Sequence, residues 1–129
     1  MSQGVWVVDA SALLAAIHDE TSGEYVKQHI DHCVISAVNW SEVLQKLGSL
    51  IGSVDRIEKS LQALGLSVVD FTEQDARLAA SLWADGKKYG LSLADRACLA
   101  TGQRLKTQIV TADRVWKELK VSSPIYVIR

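Results

Sequence analysis

The chain has 129 residues, of which 48% are hydrophobic and only one is proline. This is the composition of an ordinary folded protein, and we expect residues 1–129 to form a single domain. Fourteen basic and fifteen acidic side chains give a net charge of −1, so any polyanion must be held by a local basic patch. The two cysteines make no disulfide framework, and no secretory leader or apolar run of 18 residues is recognisable. We expect a soluble, cytoplasmic protein with no membrane contact.

Short apolar runs alternate with segments of helical periodicity along almost the whole chain. Strands are predicted over residues 5–8, 33–35, 67–71, 108–110 and 125–128. Helices are predicted over residues 10–17, 24–30, 37–47, 54–64, 72–88, 92–105 and 112–119. Ser36 and Thr72 suit helix N-caps, and Gly65 suits a helix C-terminus. Alternation of this kind predicts an α/β fold in which helices cover both faces of a parallel sheet.

Four acidic residues lie at or near the predicted strand-to-helix junctions: Asp9, Glu42, Asp95 and Asp113. Each one alone has a simpler explanation. Asp9 could cap the first helix, Ser92 and Asp95 have the spacing of a capping box, and Asp113 would favour a helix N-terminus. Glu42 is harder to explain in this way, because it lies one turn inside an otherwise apolar helix.

Taken together, the four acids predict a metal site. The carboxyl ends of parallel strands meet at one edge of a sheet, where ligands bind in open α/β folds. Carboxylates crowded at that edge repel one another and raise one another's pKa unless a cation lies among them. Ligands that are all oxygen suit Mg²⁺ or Mn²⁺, whose chemistry is water activation and neutralisation of phosphate charge.

These residues also carry a family resemblance. The segments 7–14, 41–43, 93–95 and 110–113 resemble the four acidic motifs of PIN-domain nucleases, in the same order and at single-domain size. Within that group the chain is most similar to the VapC-type toxins of type II toxin–antitoxin pairs. The resemblance implies a three-layer α/β/α domain with a five-stranded parallel sheet. It also implies a Mg²⁺- or Mn²⁺-dependent endoribonuclease in which all four acids bind metal and act in catalysis.

Further roles follow from the same resemblance. Ser11 and Thr111 match small hydroxyl positions beside the first and fourth acids, where they would orient a carboxylate or a water, although helix capping explains them equally well. The partners implied are an RNA substrate, a cognate antitoxin protein and a second copy of the chain in a homodimer. Basic residues near the motifs could hold substrate phosphates or simply face solvent: Lys46, Arg96, Arg114 and Lys117.

Competing functions fit the sequence less well. No glycine-rich phosphate loop follows the first strand, and Asp9-Ala10-Ser11 lacks the second acid of a haloacid dehalogenase-type phosphotransferase. A receiver domain would need an acidic pair before its phosphorylated aspartate. The four tryptophans are expected in the core rather than on a base-stacking surface. The alternative that stays open is a catalytically inactive PIN-like module that binds RNA or protein.

Overall fold

The computed structural model describes residues 5–51 and 53–129. Five short strands pair in parallel in the order β3-β2-β1-β4-β5, which confirms the predicted α/β class with a five-stranded parallel sheet. Their bounds are Trp6–Val8 (β1), Cys33–Ser36 (β2), Ser67–Val69 (β3), Ile109–Thr111 (β4) and Ile125–Val127 (β5). Strand β1 is central, so the chain turns to opposite sides of it when it adds β2 and β4. That reversal of strand order opens a crevice at the carboxyl edge.

Seven α-helices connect or flank the strands in the described ranges. Their bounds are Ala10–Ile17 (α1), Glu24–Gln28 (α2), Ala37–Ile51 (α3), Val54–Ala63 (α4), Glu73–Ser81 (α5), Trp83–Tyr89 (α6) and Leu93–Leu105 (α7). The core has two halves, one on each face of the sheet, with Val8 and Ile35 facing one half and Val7 and Ile109 facing the other. This alternation of side chains along each strand places helices on both faces and completes three layers.

Local signals in the sequence set several helix ends. The Ser36 hydroxyl accepts the N–H of Val38 at the start of α3. Thr72 and Ser92 each form a capping box with the aspartate three residues later. Gly65 ends α4 with φ +106°, and a Cβ there would lie 2.8 Å from the Cβ of Asp31. Glycine is therefore required at this position, both because the backbone φ is positive and because there is no space for a Cβ.

The structure corrects two predicted helices. The segment predicted as one helix over 72–88 divides at Leu82, which is buried in the core with non-helical backbone. The bend turns Trp83 outward, so this tryptophan is 60% exposed instead of lying in the core as expected. The predicted helix over 112–119 is a short 3-10 helix, Arg114–Glu118. Within the described ranges, no helix has the length and apolar character needed to cross a membrane.

Candidate active site

Asp9 lies at the centre of the carboxyl edge, directly after β1, and only 5% of its surface is exposed. One carboxylate oxygen, Oδ1, accepts hydrogen bonds from the backbone N–H of Ala12 and from the Ser11 hydroxyl, both at 2.8 Å. The other, Oδ2, accepts a bond from the Thr111 hydroxyl at 2.6 Å. Burial raises the pKa of Asp9 from its ordinary 3.8 to about 6, although these three donors oppose the rise. The carboxylate is therefore rigidly held but costly to ionise.

The two hydroxyl side chains link the ends of β1 and β4. Ser11 Oγ donates to Asp9 and accepts the N–H of Ala112 at 3.0 Å. Thr111 Oγ1 donates to Asp9 and accepts the N–H of Asp113, also at 3.0 Å. Both hydroxyls thus orient the Asp9 carboxylate and fix the loop that carries Asp113.

The other three acids approach the same edge from separate elements. Glu42, half-buried on α3, accepts a hydrogen bond from the Asn39 side chain at 3.3 Å. Asp95 closes the capping box of α7, and its Oδ2 accepts the N–H of Ser92 at 2.9 Å. Asp113 Oδ1 caps the 3-10 helix by accepting the N–H of Val115 at 3.0 Å. Each cap uses only one carboxylate oxygen, so Asp95 and Asp113 can both cap a helix and still lie at the same edge as Asp9.

All four acids line one open groove of about 190 Å³. Its lining residues are Asp9, Ala10, Ser11, Asn39, Glu42, Lys46, Asp95 and Asp113. Behind it, burial and the neighbouring acids raise the pKa of the Cys98 thiol well above its usual range, so this cysteine is no nucleophile. The groove thus combines four carboxylates with a single basic side chain among its lining residues.

The predicted basic residues divide into two groups. Lys46 lines the groove, one helical turn after Glu42. Arg96 follows Asp95 in the chain, but its Nη1 donates to the carbonyl of Ala79 at 2.9 Å and its guanidinium lies 5.6 Å from the Trp83 ring centroid. The structure therefore does not bring Arg96 to the groove. Arg114 and Lys117 are exposed on the 3-10 helix and are outside the groove lining as well.

The donor set fits a hard divalent cation in chemistry but is not drawn together around one point. Carboxylate oxygens are the ligands that Mg²⁺ and Mn²⁺ prefer. Among the described residues, however, no three acidic, histidine or cysteine side chains form a ready metal-binding group. Four carboxylates on one groove repel one another, and a cation that offsets this repulsion would let them converge.

Asn39 also lines the groove, although it was not among the predicted site residues, and it is only 1% exposed. Its Nδ2 donates to Glu42 and, at 3.0 Å, to the carbonyl of Ala94 on α7. The signal available in the sequence was an asparagine three positions before Glu42 on the same predicted helix, because residues i and i+3 share a helix face.

A second cleft, about 360 Å³, lies away from the acids between α1, α2 and α4. It is larger than the acidic groove, and apolar side chains such as Leu13, Ile17 and Leu64 line much of it. An ion pair between Asp19 and Lys27 lies at this cleft. Its chemistry suits burial of apolar side chains rather than catalysis.

The fold and groove together define a class, namely a three-layer α/β domain with a carboxylate groove at the carboxyl edge of a parallel sheet. The family model of the PIN domain matches residues 6–121. The chain therefore belongs to the PIN domain family.

Solved structures with the same fold span nearly the whole chain. The toxin–antitoxin complex from Klebsiella pneumoniae matches with a TM-score of 0.76 and 16% identity, covering 95% of this chain and 97% of that one. DNA-bound VapBC from Salmonella typhimurium matches with a TM-score of 0.72 and 14% identity, covering 98% and 100%. FitAcB from Neisseria gonorrhoeae matches with a TM-score of 0.67 and 15% identity, covering 93% and 96%. At these identities the likeness establishes the fold. No curated protein matches the sequence significantly.

Proposed function

We propose that this protein is a Mg²⁺- or Mn²⁺-dependent endoribonuclease that hydrolyses RNA phosphodiester bonds in the carboxylate groove. The observation that carries the proposal is Asp9, a buried carboxylate with a raised pKa that three donors hold in place beside three further acids. A merely structural role does not require four carboxylates on one groove, since their repulsion costs stability. A divalent cation bound among the carboxylates would offset their repulsion and would assist hydrolysis.

When bound, the cation lowers the pKa of a water molecule and neutralises phosphate charge. Asp9, Glu42, Asp95 and Asp113 are the residues that would hold it. Ser11 and Thr111 keep the Asp9 carboxylate in one orientation, which limits the reorganisation needed during the reaction. Lys46 offers the groove a positive charge that can position an RNA phosphate without reading base sequence.

We further propose that the protein is the toxin of a toxin–antitoxin pair. The proteins of similar fold include a toxin–antitoxin complex and VapBC. The apolar cleft between α1, α2 and α4 offers a place for apolar side chains of an antitoxin, away from the acids. A homodimer, RNA as the substrate and a cytoplasmic location stay predictions.

One observation favours the alternative, a PIN-like binding module without catalysis. Asp95 and Asp113 each accept a hydrogen bond from a backbone N–H at a helix start. Both side chains therefore stabilise a helix end whether or not a metal binds. A catalytic test must therefore separate capping from chemistry.

The test is cleavage of total cellular RNA by protein purified free of any bound antitoxin. Reactions contain Mn²⁺ or EDTA, and the variants are Asp95→Asn and, as a matched control, Asp55→Asn on the exposed start of α4. The amide oxygen of asparagine can still accept the N–H of Ser92 in the capping box, so lost cleavage in Asp95→Asn reports chemistry. We expect discrete fragments that require Mn²⁺, persist in Asp55→Asn and vanish in Asp95→Asn. Intact RNA in every lane would favour the binding module.

A further inference from the structure

A single side-chain amide, that of Asn39, joins the second acid of the groove to the helix turn that carries the third. Its Nδ2 donates both to Glu42 Oε1 at 3.3 Å and to the Ala94 carbonyl at 3.0 Å. Ala94 immediately precedes Asp95 in the first turn of α7, so this one amide spans from α3 to α7. Asn39 therefore joins Glu42 on α3 to the turn of α7 that carries Asp95.

The orientation of this amide follows from its partners. Both atoms that Nδ2 contacts are oxygen acceptors, so a flipped amide would place its carbonyl oxygen against two other oxygens and lose both bonds. Asn39 Oδ1 must consequently point elsewhere, and it has no hydrogen-bond partner among the described residues. An unpaired buried acceptor is unusual, since nearly all such atoms are satisfied by protein or by ordered water.

Two independent observations thus converge on Asn39: a contact that joins Glu42 to the first turn of α7, and a buried acceptor without a partner among the described residues, on a side chain that lines the same groove. The lining carboxylates only accept hydrogen bonds when ionised, and the Ser11 hydroxyl already donates to Asp9, so the remaining donors for Oδ1 are Lys46 and water in the groove. Water molecules that complete the shell of a divalent ion are such donors.

We propose that Asn39 is a positioning residue of the groove. Its Nδ2 holds Glu42 against the first turn of α7, and its unpaired Oδ1 is an acceptor for water that would reach it when a divalent ion is bound. This inference rests on the proposed function. Asn39 would not bind the metal itself but would affect metal affinity, as side chains that orient metal ligands commonly do.

The test measures Mn²⁺ binding by calorimetry on folded protein without RNA, so it does not depend on catalysis. The variants are Asn39→Ala, which removes donor and acceptor, and Gln45→Ala, an exposed control on the same helix. Circular dichroism establishes that each variant is folded at the temperature of the titration.

We expect Asn39→Ala to weaken Mn²⁺ binding by about 10- to 100-fold, the usual effect of losing a partner that orients a metal ligand, and Gln45→Ala to bind as the wild type does. If Asn39 merely joins two helices, Asn39→Ala lowers the melting temperature but leaves Mn²⁺ affinity unchanged, and that result overturns the inference.

This outcome is distinguishable from failure of the proposed function. If the wild-type protein itself binds no Mn²⁺ and cleaves no RNA, both proposals fail together. If the wild type binds Mn²⁺ and Asn39→Ala binds it equally well, only the role of Asn39 is excluded.

Discussion

Replacing Asp9 by asparagine should stabilise the metal-free protein at neutral pH while abolishing RNA cleavage. The substitution keeps the size of the side chain and removes its charge. An amide oxygen can still accept the bonds from Ala12 and Ser11, and the amide nitrogen can donate to the Thr111 hydroxyl oxygen, which currently donates to Asp9. The fold therefore loses little, whereas the groove loses its best-fixed carboxylate.

The magnitude follows from the raised pKa of Asp9. The pKa is about 6 in the folded protein against 3.8 ordinarily, a rise of about 2 that corresponds to roughly 3 kcal/mol. Because the folded pKa is the higher one, protonated Asp9 favours folding. That stabilisation is fully present below about pH 4 and is lost as pH rises through about 6. Asparagine never ionises, so the Asp9→Asn variant should have a higher free energy of unfolding than the wild type. The difference should approach roughly 1–3 kcal/mol at pH 7.5 and shrink toward zero near pH 4.

Urea unfolding at pH 4.5, 6 and 7.5 in EDTA measures the difference directly. EDTA is essential, because a bound cation stabilises the wild type and would mask the effect. Asp55→Asn on exposed α4 serves as the control for loss of one negative charge. A variant that is less stable than wild type at pH 7.5, or a difference that does not change with pH, would refute the electrostatic reasoning. An unfolded variant would show that Asp9 is a structural residue.

Three further results are expected. Thr111→Val removes the 2.6 Å donor to Asp9, so the pKa of Asp9, followed by NMR, should rise further and RNA cleavage should fall. Arg104→Met strands the fully buried Asp75 carboxylate, now 2.5 Å from Arg104 Nε, and should lower the urea-derived stability by about 3–5 kcal/mol; an unchanged midpoint would contradict this. Mn²⁺ should raise the melting temperature of wild type more than that of Asp95→Asn, and equal shifts would locate the ion elsewhere.

Patterns within short segments were enough to predict much of the secondary structure and the fold class of this protein from the sequence alone. The alternation of apolar runs with helical periodicity was enough for the parallel sheet, and cap residues such as Thr72 and Gly65 marked helix ends correctly. The positions of the acids beside strand ends indicated one shared groove, because parallel strands all present the same end at one edge. These features are local: each depends on residues a few positions apart.

Only the tertiary structure decided which distant residues meet. Thr111 reaches Asp9 across 102 positions, Asn39 reaches Ala94 across 55, and Arg104 reaches Asp75 across 29. Strand order and helix packing create these contacts, and no periodicity in the chain encodes which partners they join. The same holds for Trp83, which the burial of Leu82 turned outward against the expectation from its apolar character. Local sequence specifies backbone form and candidate chemistry, whereas hydrogen-bond partners and burial depend on how the finished layers pack.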